Sequence, residues 1–199
     1  MIIGITGGTG CGKTTLLEVI AEQGGLILDC DAIYHELLKT DVSLLDAIEA
    51  RFPGTVENGE LQRKKLGSIV FSDENALMDL NKITHSAIKK DVLRRLETAP
   101  KLSAIDAIAL FEGGLADLCD VTVAVTAPVE TRILRLMQRD GISEAYARSR
   151  IGAQHEEQWF RERCDHVLEN VDTKVQFRNK CLAFLHQLGI IESVNGSRG

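Results

Sequence analysis

Eight residues near the start of the chain, Gly7 to Thr14, have the types and the spacing that bind phosphate groups. They read Gly-Gly-Thr-Gly-Cys-Gly-Lys-Thr and match the pattern G-x-x-x-x-G-K-[ST]. Glycines let main-chain N–H groups turn toward a phosphate, and the N-terminus of a following helix adds partial positive charge. Lys13 is placed to reach the β- and γ-phosphates of ATP, and the hydroxyl of Thr14 is placed to bind Mg²⁺. We call this segment the phosphate loop. The residues expected to bind ATP here are Thr9, Gly10, Cys11, Gly12, Lys13, Thr14 and Thr15.

One residue of the phosphate loop, Cys11, carries a thiol. N–H groups and the charge of Lys13 lower the pKa of a thiol in such a position. We therefore hypothesise that mild oxidation of Cys11 blocks ATP binding; the alternative is that Cys11 fills a position that requires a small residue. The five cysteines of the chain are scattered and include no C-x-x-C pair. They predict reduced thiols, with neither disulfides nor a zinc site.

The elements around the phosphate loop must place a strand before it and a helix after it. Residues 1–6 are an apolar run that predicts a buried strand, and residues 14–23 have apolar residues at helical spacing. Further strands are predicted at 26–28, 102–111, 120–126 and 167–168, with helices between them. The pattern predicts an α/β fold of three layers, the P-loop NTPase fold, with a central parallel sheet of about five strands.

Carboxylates follow two of the predicted strands. Asp29 and Asp31 come after residues 26–28, and Glu112 comes after residues 102–111. Ligands of open parallel sheets bind at the carboxyl ends of the strands, so Asp31 is a candidate for positioning an acceptor and Glu112 for supporting a metal-bound water or a phosphate. The alternatives are that Asp29 or Asp31 only caps the next helix, and that Glu112 is an exposed acid at a turn.

Residues 40–100 have little strand propensity and several amphipathic helical segments. A block of helices between two strands of such a sheet is predicted to bind the acceptor. Its candidate functional residues are Arg63 and His85, although a lone arginine or histidine on a helix is more often an ordinary surface or core residue. The segment 56–60 is predicted to be a polar turn.

A basic cluster follows the strand at 120–126, in a chain that is acidic overall. Arg139, Arg148 and Arg150, with Gln154 behind them, are predicted to form a helical lid that closes over the phosphates. Arg132 and Arg135 are expected only to solvate their helix face, and the alternative for the whole cluster is a solvated face. Asn170 follows the last predicted strand, where we expect it to contact the adenine of ATP.

These patterns divide the chain into a nucleotide-binding core, an inserted helical region, a lid and a tail. The predicted ranges are 1–36, 101–136 and 164–190 for the core, 37–100 for the inserted region, 137–163 for the lid and 191–199 for a flexible tail.

The composition is that of an ordinary globular domain. The chain has 199 residues, of which 44% are apolar and 26% charged, and its net charge is −6. An acidic balance argues against a nucleic-acid partner. The sequence contains neither an apolar run long enough to span a bilayer nor a signal peptide, so we expect a cytoplasmic protein with no membrane partner. We expect a monomer, with weak self-association as the alternative.

A series of motifs along residues 2–188 resembles the dephospho-CoA kinase family. In chain order these are Gly4 to Thr14 (G-x-T-G-G-x-G-x-G-K-T), Asp29 with Asp31, Gly59 to Arg63 (G-x-L-x-R), Leu66 to Phe71, Leu80 to His85, Leu110 to Glu112, and Arg139 to Ser143 leading to Ala147 to Gln154. The chain departs from the family at Cys11, where serine is common, and at Ser86 and Ile108, where prolines are common. The missing prolines affect the expected backbone conformation at those positions. Every residue that the phosphate-loop motif requires is present.

The resemblance implies phosphorylation of the ribose 3′-hydroxyl of dephospho-CoA by ATP, with Mg²⁺, which is the last step of coenzyme A biosynthesis. It implies that Asp31 orients or deprotonates the hydroxyl and that Arg139 closes over the transferring phosphoryl group. It also implies that Arg63 and His85 help to bind the acceptor, while Glu112 supports the metal or the acceptor.

Two other classes share the phosphate loop. Another small-molecule P-loop kinase, acting on a nucleoside or nucleotide, would lack the patterns at 59–63 and 80–85. A GTP-dependent switch would need D-x-x-G and N-K-x-D. The chain has no D-x-x-G, and residues 81–84 read Asn-Lys-Ile-Thr, without the aspartate.

Overall fold

The structure, a computed structural model, describes residues 1–191. Of the predicted flexible tail, residues 192–199 lie outside the described residues. The chain forms two compact units. The first, which we call the loop unit, contains Met1–Ile27, Pro100–Ile108 and the chain from Cys119 onward; the second, the helical unit, contains Leu28–Ala99 and Ala109–Leu118. The predicted boundaries of core, inserted region and lid stay a prediction.

Seven strands and nine α-helices are formed within residues 1–191. The strands are β1 (Ile2–Thr6), β2 (Leu26–Asp29), β3 (Val56–Glu57), β4 (Glu60–Leu61), β5 (Ser103–Asp106), β6 (Val121–Thr126) and β7 (His166–Glu169). The helices are α1 (Lys13–Glu22), α2 (Cys30–Thr40), α3 (Val42–Arg51), α4 (Arg63–Val70), α5 (Glu74–Leu96), α6 (Val129–Asp140), α7 (Glu144–Gly152), α8 (Glu157–Arg163) and α9 (Lys174–Gln187).

Five of the strands make one sheet in the order β2-β5-β1-β6-β7. The central strand β1 pairs in parallel with β5 and β6, with Gly4 opposite Ile105 on one side and Thr122 on the other. β7 extends the sheet in parallel with β6. All six residues of β6 are buried, as expected of a strand covered on both faces. The predicted α/β fold with a five-stranded parallel sheet is confirmed.

The loop unit buries its main core where α1 and α9 cover the sheet. The core includes Ile5 and Val123 from the sheet, Ile20 from α1, and Phe177 and Leu185 from α9. Helices α6 and α7 pack on each other through a smaller apolar cluster of their own: Ile133, Leu136, Ala147 and Ile151. No helix within residues 1–191 has both the length and the apolarity needed to cross a membrane.

The helical unit contains α2 to α5 and a short hairpin. Strands β3 and β4 pair in antiparallel fashion, and the turn between them is Asn58-Gly59, with φ angles of 53° and 78°. This is the residue pair that a tight hairpin turn prefers. The segment predicted to be a polar turn is therefore a two-stranded hairpin around that turn.

The strand predicted at 102–111 is wrong beyond Asp106. Residues 108–114 form turns, and a short 3₁₀ helix follows at Ala116–Leu118. Leu110 is fully buried, and its carbonyl oxygen accepts hydrogen bonds from the N–H groups of Leu115 and Ala116. The residues after Asp106 are apolar because they are buried in a turn that folds back on itself. Hydrophobic periodicity alone cannot distinguish such a buried turn from a buried strand.

Candidate active site

The phosphate loop joins β1 to α1 in the order that the sequence predicts. Gly12 is the N-cap of α1, with φ at 95°, a conformation that favours glycine. A β-carbon at Gly12 would overlap the amide nitrogen of Asn170. The N–H groups at the start of α1 have no partner within the helix by its geometry. They can therefore donate to phosphate oxygens, and the helix dipole adds to the attraction.

A carboxylate that the sequence prediction missed lies next to Lys13. The Nζ atom of Lys13 donates to the carbonyl oxygen of Gly7 at 3.1 Å and lies 3.9 Å from Oδ1 of Asp106. Asp106 is the last residue of β5 and stands opposite Ile5 in the register with β1. An aspartate at the end of the neighbouring strand is the usual second support of the metal ion in P-loop enzymes. The sequence could have indicated Asp106, because it follows an apolar run. The strand was predicted to continue to residue 111, so the acid expected at its end was Glu112.

Oxygen donors are available for the Mg²⁺ ion that this chemistry requires. Thr14 is exposed in the first turn of α1, and Asp106 contributes a carboxylate whose side chain is 18% exposed. No group of three His, Cys, Asp or Glu side chains that could hold a metal occurs within residues 1–191. Mg²⁺ usually takes one or two protein oxygens and completes its shell with phosphates and water, so the donor set fits this ion.

Two arginines of α6 hold the carbonyl groups of the phosphate loop. Arg132 is only 8% exposed, and its Nε donates to the carbonyl oxygen of Thr9 at 2.9 Å. Nη1 of Arg135 donates to the carbonyl oxygens of Gly10 at 3.2 Å and Cys11 at 3.3 Å. The prediction that these arginines only solvate their helix face is wrong. The available signal was spacing, because Arg132 stands four residues before the buried Leu136 and therefore on the same helix face.

Asn170 also supports the loop from the end of β7. It is 5% exposed, and its Nδ2 donates to the carbonyl oxygen of Cys11 at 2.8 Å. Its Oδ1 accepts from Nη2 of Arg135 at 3.3 Å. Asn170 thus contacts the main chain of the phosphate loop, and its predicted contact with adenine stays a prediction.

Cys11 lies in the core of the loop unit. Its side chain is 2% exposed, and burial raises the pKa of the thiol, although Arg132 and Lys13 act in the opposite direction. A buried, protonated thiol reacts slowly with oxidants. Burial therefore counts against an oxidation-sensitive Cys11, because desolvation opposes the positive charges on which the hypothesis relied; the hypothesis itself stays a prediction.

The arginines predicted to form the lid make ion pairs with carboxylates of α6 and α7. Arg139 donates to Asp140 at 2.6 and 3.0 Å, and Arg150 donates to Asp140 at 2.8 Å. These bonds, the one from Arg139 first, lower the pKa of Asp140 to about 2. Arg148 donates to Glu130 and Glu144. In this arrangement the lid arginines neutralise carboxylates, and their contact with phosphates stays a prediction.

In the helical unit, the two aspartates after β2 have different environments. Asp29 is the N-cap of α2, where its Oδ1 accepts from the N–H groups of Asp31 at 2.9 Å and Ala32 at 3.0 Å. Asp31 is in the first turn of α2 and exposed. The possibility that Asp31 serves as the cap is therefore excluded, because Asp29 has that role. The carboxylate of Asp31 stays available to a ligand.

Two aromatic residues that the sequence prediction did not consider lie beside Arg63. Nη2 of Arg63 is 3.4 Å from Nδ1 of His35, and the ring of Tyr34 lies 5.7 Å from that of His35. Burial raises the pKa of Tyr34, and the charge of Arg63 opposes that effect. Tyr34 and His35 follow Asp31 by three and four residues, so all three lie on one side of α2. Helical spacing was the signal that could have found them.

His85 and the segment around Glu112 come together in the same unit. A β-carbon at Gly113 would lie 3.7 Å from Cγ of His85, so the imidazole passes close to the main chain after Glu112. Lys89 lies one turn further along α5. Its Nζ would be 3.1 Å from a β-carbon at Gly114. Glu112 is exposed and His85 half-buried.

This fold and site define the class of P-loop proteins, which bind nucleoside triphosphates: a parallel sheet carries a glycine loop at a helix N-terminus, with a lysine and a strand-end aspartate beside it. Known proteins narrow this class. The family model for dephospho-CoA kinase matches residues 1–176. The dephospho-CoA kinase of Corynebacterium diphtheriae is 35% identical over 175 residues, which are 85% of this chain and 88% of that protein.

Two further proteins are similar to this chain over almost its whole length. The dephospho-CoA kinase of Geobacillus kaustophilus is 34% identical over 198 residues, covering 96% of this chain and 98% of that protein. The crystal structure of TT1252 from Thermus thermophilus is similar, with a TM-score of 0.79 and 31% identity over 94% of this chain and 97% of that one. The chain belongs to the dephospho-CoA kinase family, and the resemblance found in the sequence is confirmed.

Proposed function

We propose that the protein transfers the γ-phosphoryl group of ATP to the ribose 3′-hydroxyl of dephospho-CoA, giving coenzyme A and ADP. The observation that carries the proposal is the family match across residues 1–176, in a chain whose phosphate loop is complete. Phosphoryl transfer needs little covalent chemistry from the protein, because positioning and charge neutralisation supply most of the rate.

The donor residues belong to the loop unit. Lys13 and the N–H groups of the phosphate loop that follow Thr9 hold the β- and γ-phosphates of ATP. Thr14 and Asp106 would hold Mg²⁺, which neutralises charge on the phosphate oxygens when it is bound. The location of Lys13 between Gly7 and Asp106 supports this assignment, because the ammonium group is held in place before ATP arrives.

The acceptor residues belong to the helical unit. Asp31 orients the 3′-hydroxyl and accepts its proton as the oxygen attacks phosphorus. Its support is an exposed carboxylate in the first turn of α2, beside a neighbour that already caps the helix. Arg63 and His85 bind the acceptor nucleotide, and Glu112 assists there. Arg139 leaves Asp140 for the transferring phosphoryl group when the lid closes, and Arg148, Arg150 and Gln154 belong to the same lid.

The test is ADP release by the purified protein with ATP and Mg²⁺. We expect dephospho-CoA to stimulate release strongly, and adenosine, uridine and AMP to have no effect. The product should co-migrate with coenzyme A in liquid chromatography, and ³¹P NMR should show a new monoester at the 3′ position. Stimulation by a nucleoside or by AMP instead would assign the chain to another kind of small-molecule kinase, and the proposal would fail.

Three further expectations belong to this proposal and rest on the sequence. The protein is expected to require Mg²⁺, to act as a monomer and to be located in the cytoplasm. Chelation by EDTA should abolish turnover, and an excess of Mg²⁺ should restore it.

A further inference from the structure

The peptide groups on both sides of Thr9 are held by the side chains of Arg132 and Gln154. Nε of Arg132 donates to the carbonyl oxygen of Thr9 at 2.9 Å. Oε1 of Gln154 accepts from the N–H of Thr9 at 2.9 Å and from Nη2 of Arg132 at 2.9 Å. These three bonds form a closed ring, which we call the Thr9 clamp.

The Thr9 clamp is buried and closely fitted. Arg132 and Thr9 are 8% and 9% exposed, and hydrogen bonds from a charged group are stronger than those between neutral groups. A β-carbon at Gly8 would overlap the guanidinium group of Arg132 and lie 3.0 Å from Oε1 of Gln154. The ring therefore lies against the main chain of the loop, with no space for another side chain.

The clamp fixes the direction of a phosphate-binding group. A peptide bond is planar and trans, so the carbonyl of Thr9 and the N–H of Gly10 point in opposite directions. When Arg132 holds that carbonyl on one side, the N–H of Gly10 must face the other side. Arg135 applies the same constraint to the carbonyl of Gly10. The N–H of Thr9 donates to Gln154 and is thereby removed from the set of phosphate donors.

Gln154 follows α7 by two residues, in the segment that the sequence assigns to the lid. We propose that Gln154 is a positioning residue for ATP, which acts through Thr9 and Arg132 rather than by touching the phosphates. When the end of α7 is docked through Gln154, the loop has the conformation that binds triphosphate. The inference rests on the ATP-binding part of the proposed function and does not depend on the acceptor.

The test compares substitutions that keep or remove the acceptor oxygen of Gln154. Gln154→Leu is similar in size but cannot accept a hydrogen bond, whereas Gln154→Glu keeps an oxygen beside the charge of Arg132. Gln154 lines a cavity of about 540 Å³, which leaves room for either side chain. Gln158→Leu is the matched control, because Gln158 is exposed and its side chain donates within α8, to Glu162 at 3.0 Å.

ATP binding is measured by calorimetry without an acceptor, together with the melting temperature. Gln154→Leu should weaken ATP binding about tenfold, the effect of losing one hydrogen bond to a charged partner. Gln154→Glu should stay within about threefold of wild type, and the control should bind as wild type does. In turnover, KM for ATP should rise in Gln154→Leu, while KM for dephospho-CoA and kcat at saturating ATP should change less than about twofold.

Two results would overturn the inference: unchanged ATP affinity in Gln154→Leu, or equal weakening by leucine and glutamate. Gln154→Ala repeats the test should the leucine variant lower the melting temperature, and normal ATP affinity in a folded alanine variant also overturns it. A wild-type protein that binds ATP but does not phosphorylate dephospho-CoA would refute the proposed function alone. A wild-type protein that does not bind ATP would refute both.

Discussion

In the phosphate loop, main-chain groups carry the chemistry, and each carbonyl from Thr9 to Cys11 has a side-chain partner. These partners come from Arg132, Arg135 and Asn170. In the helical unit, the candidate acceptor residues are side chains, and Asp31, Arg63 and Glu112 are exposed there. The carbonyl groups of the loop are therefore held before ATP arrives, whereas an exposed side chain such as Asp31 loses rotamer freedom when it binds a ligand.

This difference predicts different responses to substitution. Donors that are already oriented bind charge with little reorganisation, so damage to the supports of the loop should weaken ATP binding and stability together. Ordering an exposed side chain on binding costs about 0.5–1.5 kcal/mol. Substitutions in the helical unit should therefore change turnover or acceptor binding and leave stability nearly unchanged.

The largest effect is expected for Asp31→Asn. Without a carboxylate on the attacking hydroxyl, kcat should fall at least about a hundredfold. ATP affinity and melting temperature should stay close to wild type, because Asp31 is exposed and the helix cap is on Asp29. Steady-state kinetics with calorimetry checks this, and Asp29→Asn, which keeps an N-cap, is the matched control. Normal turnover by Asp31→Asn would remove Asp31 from its role.

Lys13→Ala should lower turnover by a similar factor, at least about a hundredfold, through a different step. The ammonium group beside Gly7 and Asp106 contacts the phosphates in the proposed function, so both ATP affinity and kcat should fall. Calorimetry separates the two variants, since only Lys13→Ala should bind ATP weakly. Equal ATP affinity in both would contradict the contrast between the two regions.

Gly8→Ala should disturb the loop through its supports. The added methyl group would overlap the buried guanidinium of Arg132, and overpacking of this kind costs about 1–3 kcal/mol. We expect that loss in the free energy of unfolding and at least about tenfold weaker ATP binding. The control is Gly152→Ala in α7, where a β-carbon meets no atom of residues 1–191 within 4 Å. This substitution should stabilise the helix by up to about 1 kcal/mol. If the two variants had the same free energy of unfolding and the same ATP affinity, the side chains that hold the loop would not contribute to ATP binding.

The donor half of the site was predictable because its signal is local. Strand, glycine loop and helix are consecutive in the sequence, and the positions of Lys13 and Thr14 follow from the motif. The supports could not be predicted in the same way. Asn170 is separated from Cys11 by 159 positions, and nothing in one sequence shows that a distant side chain will reach a particular carbonyl.

The errors have a common physical cause, which is that hydrophobic patterning records burial and not geometry. The run at residues 107–111 is apolar because it is folded back around Leu110, and reading it as strand concealed Asp106. Arg132 is charged but buried. Because arginines are usually exposed, the residue type alone predicts a surface position. In the helical unit the roles of Arg63 and His85 came from family resemblance, because a single arginine or histidine on a helix leaves no periodic signal.

A smaller effect is expected from pH. Cys181 is fully buried in the core of the loop unit, and burial raises its pKa from 9.0 to about 11. The folded state keeps the thiol protonated to a higher pH than the unfolded state does. The contribution of the buried thiol to the free energy of unfolding is therefore complete below pH 9 and is lost as the pH rises toward 11. At pH 10 the loss should be on the order of 1 kcal/mol. Urea unfolding of wild type and Cys181→Ala at pH 8 and pH 10 checks this, and equal losses in both would refute it.

The smallest effect is expected for Arg148→Met, which tests how far the comparison extends to the lid. Arg148 pairs with Glu130 and Glu144 on the surface, where solvent and salt weaken ion pairs. The free energy of unfolding should therefore fall only slightly, and less still in high salt, where the pairs are screened. Urea unfolding at two salt concentrations measures this.

Arg139→Met is compared with Arg148→Met. The change in the free energy of unfolding should be similar in the two variants, but Arg139→Met should lose about a hundredfold in kcat, because the proposed function puts Arg139 on the phosphoryl group. Equal kcat values for the two variants would mean that the ion pair with Asp140 is structural and that Arg139 does not leave it during turnover.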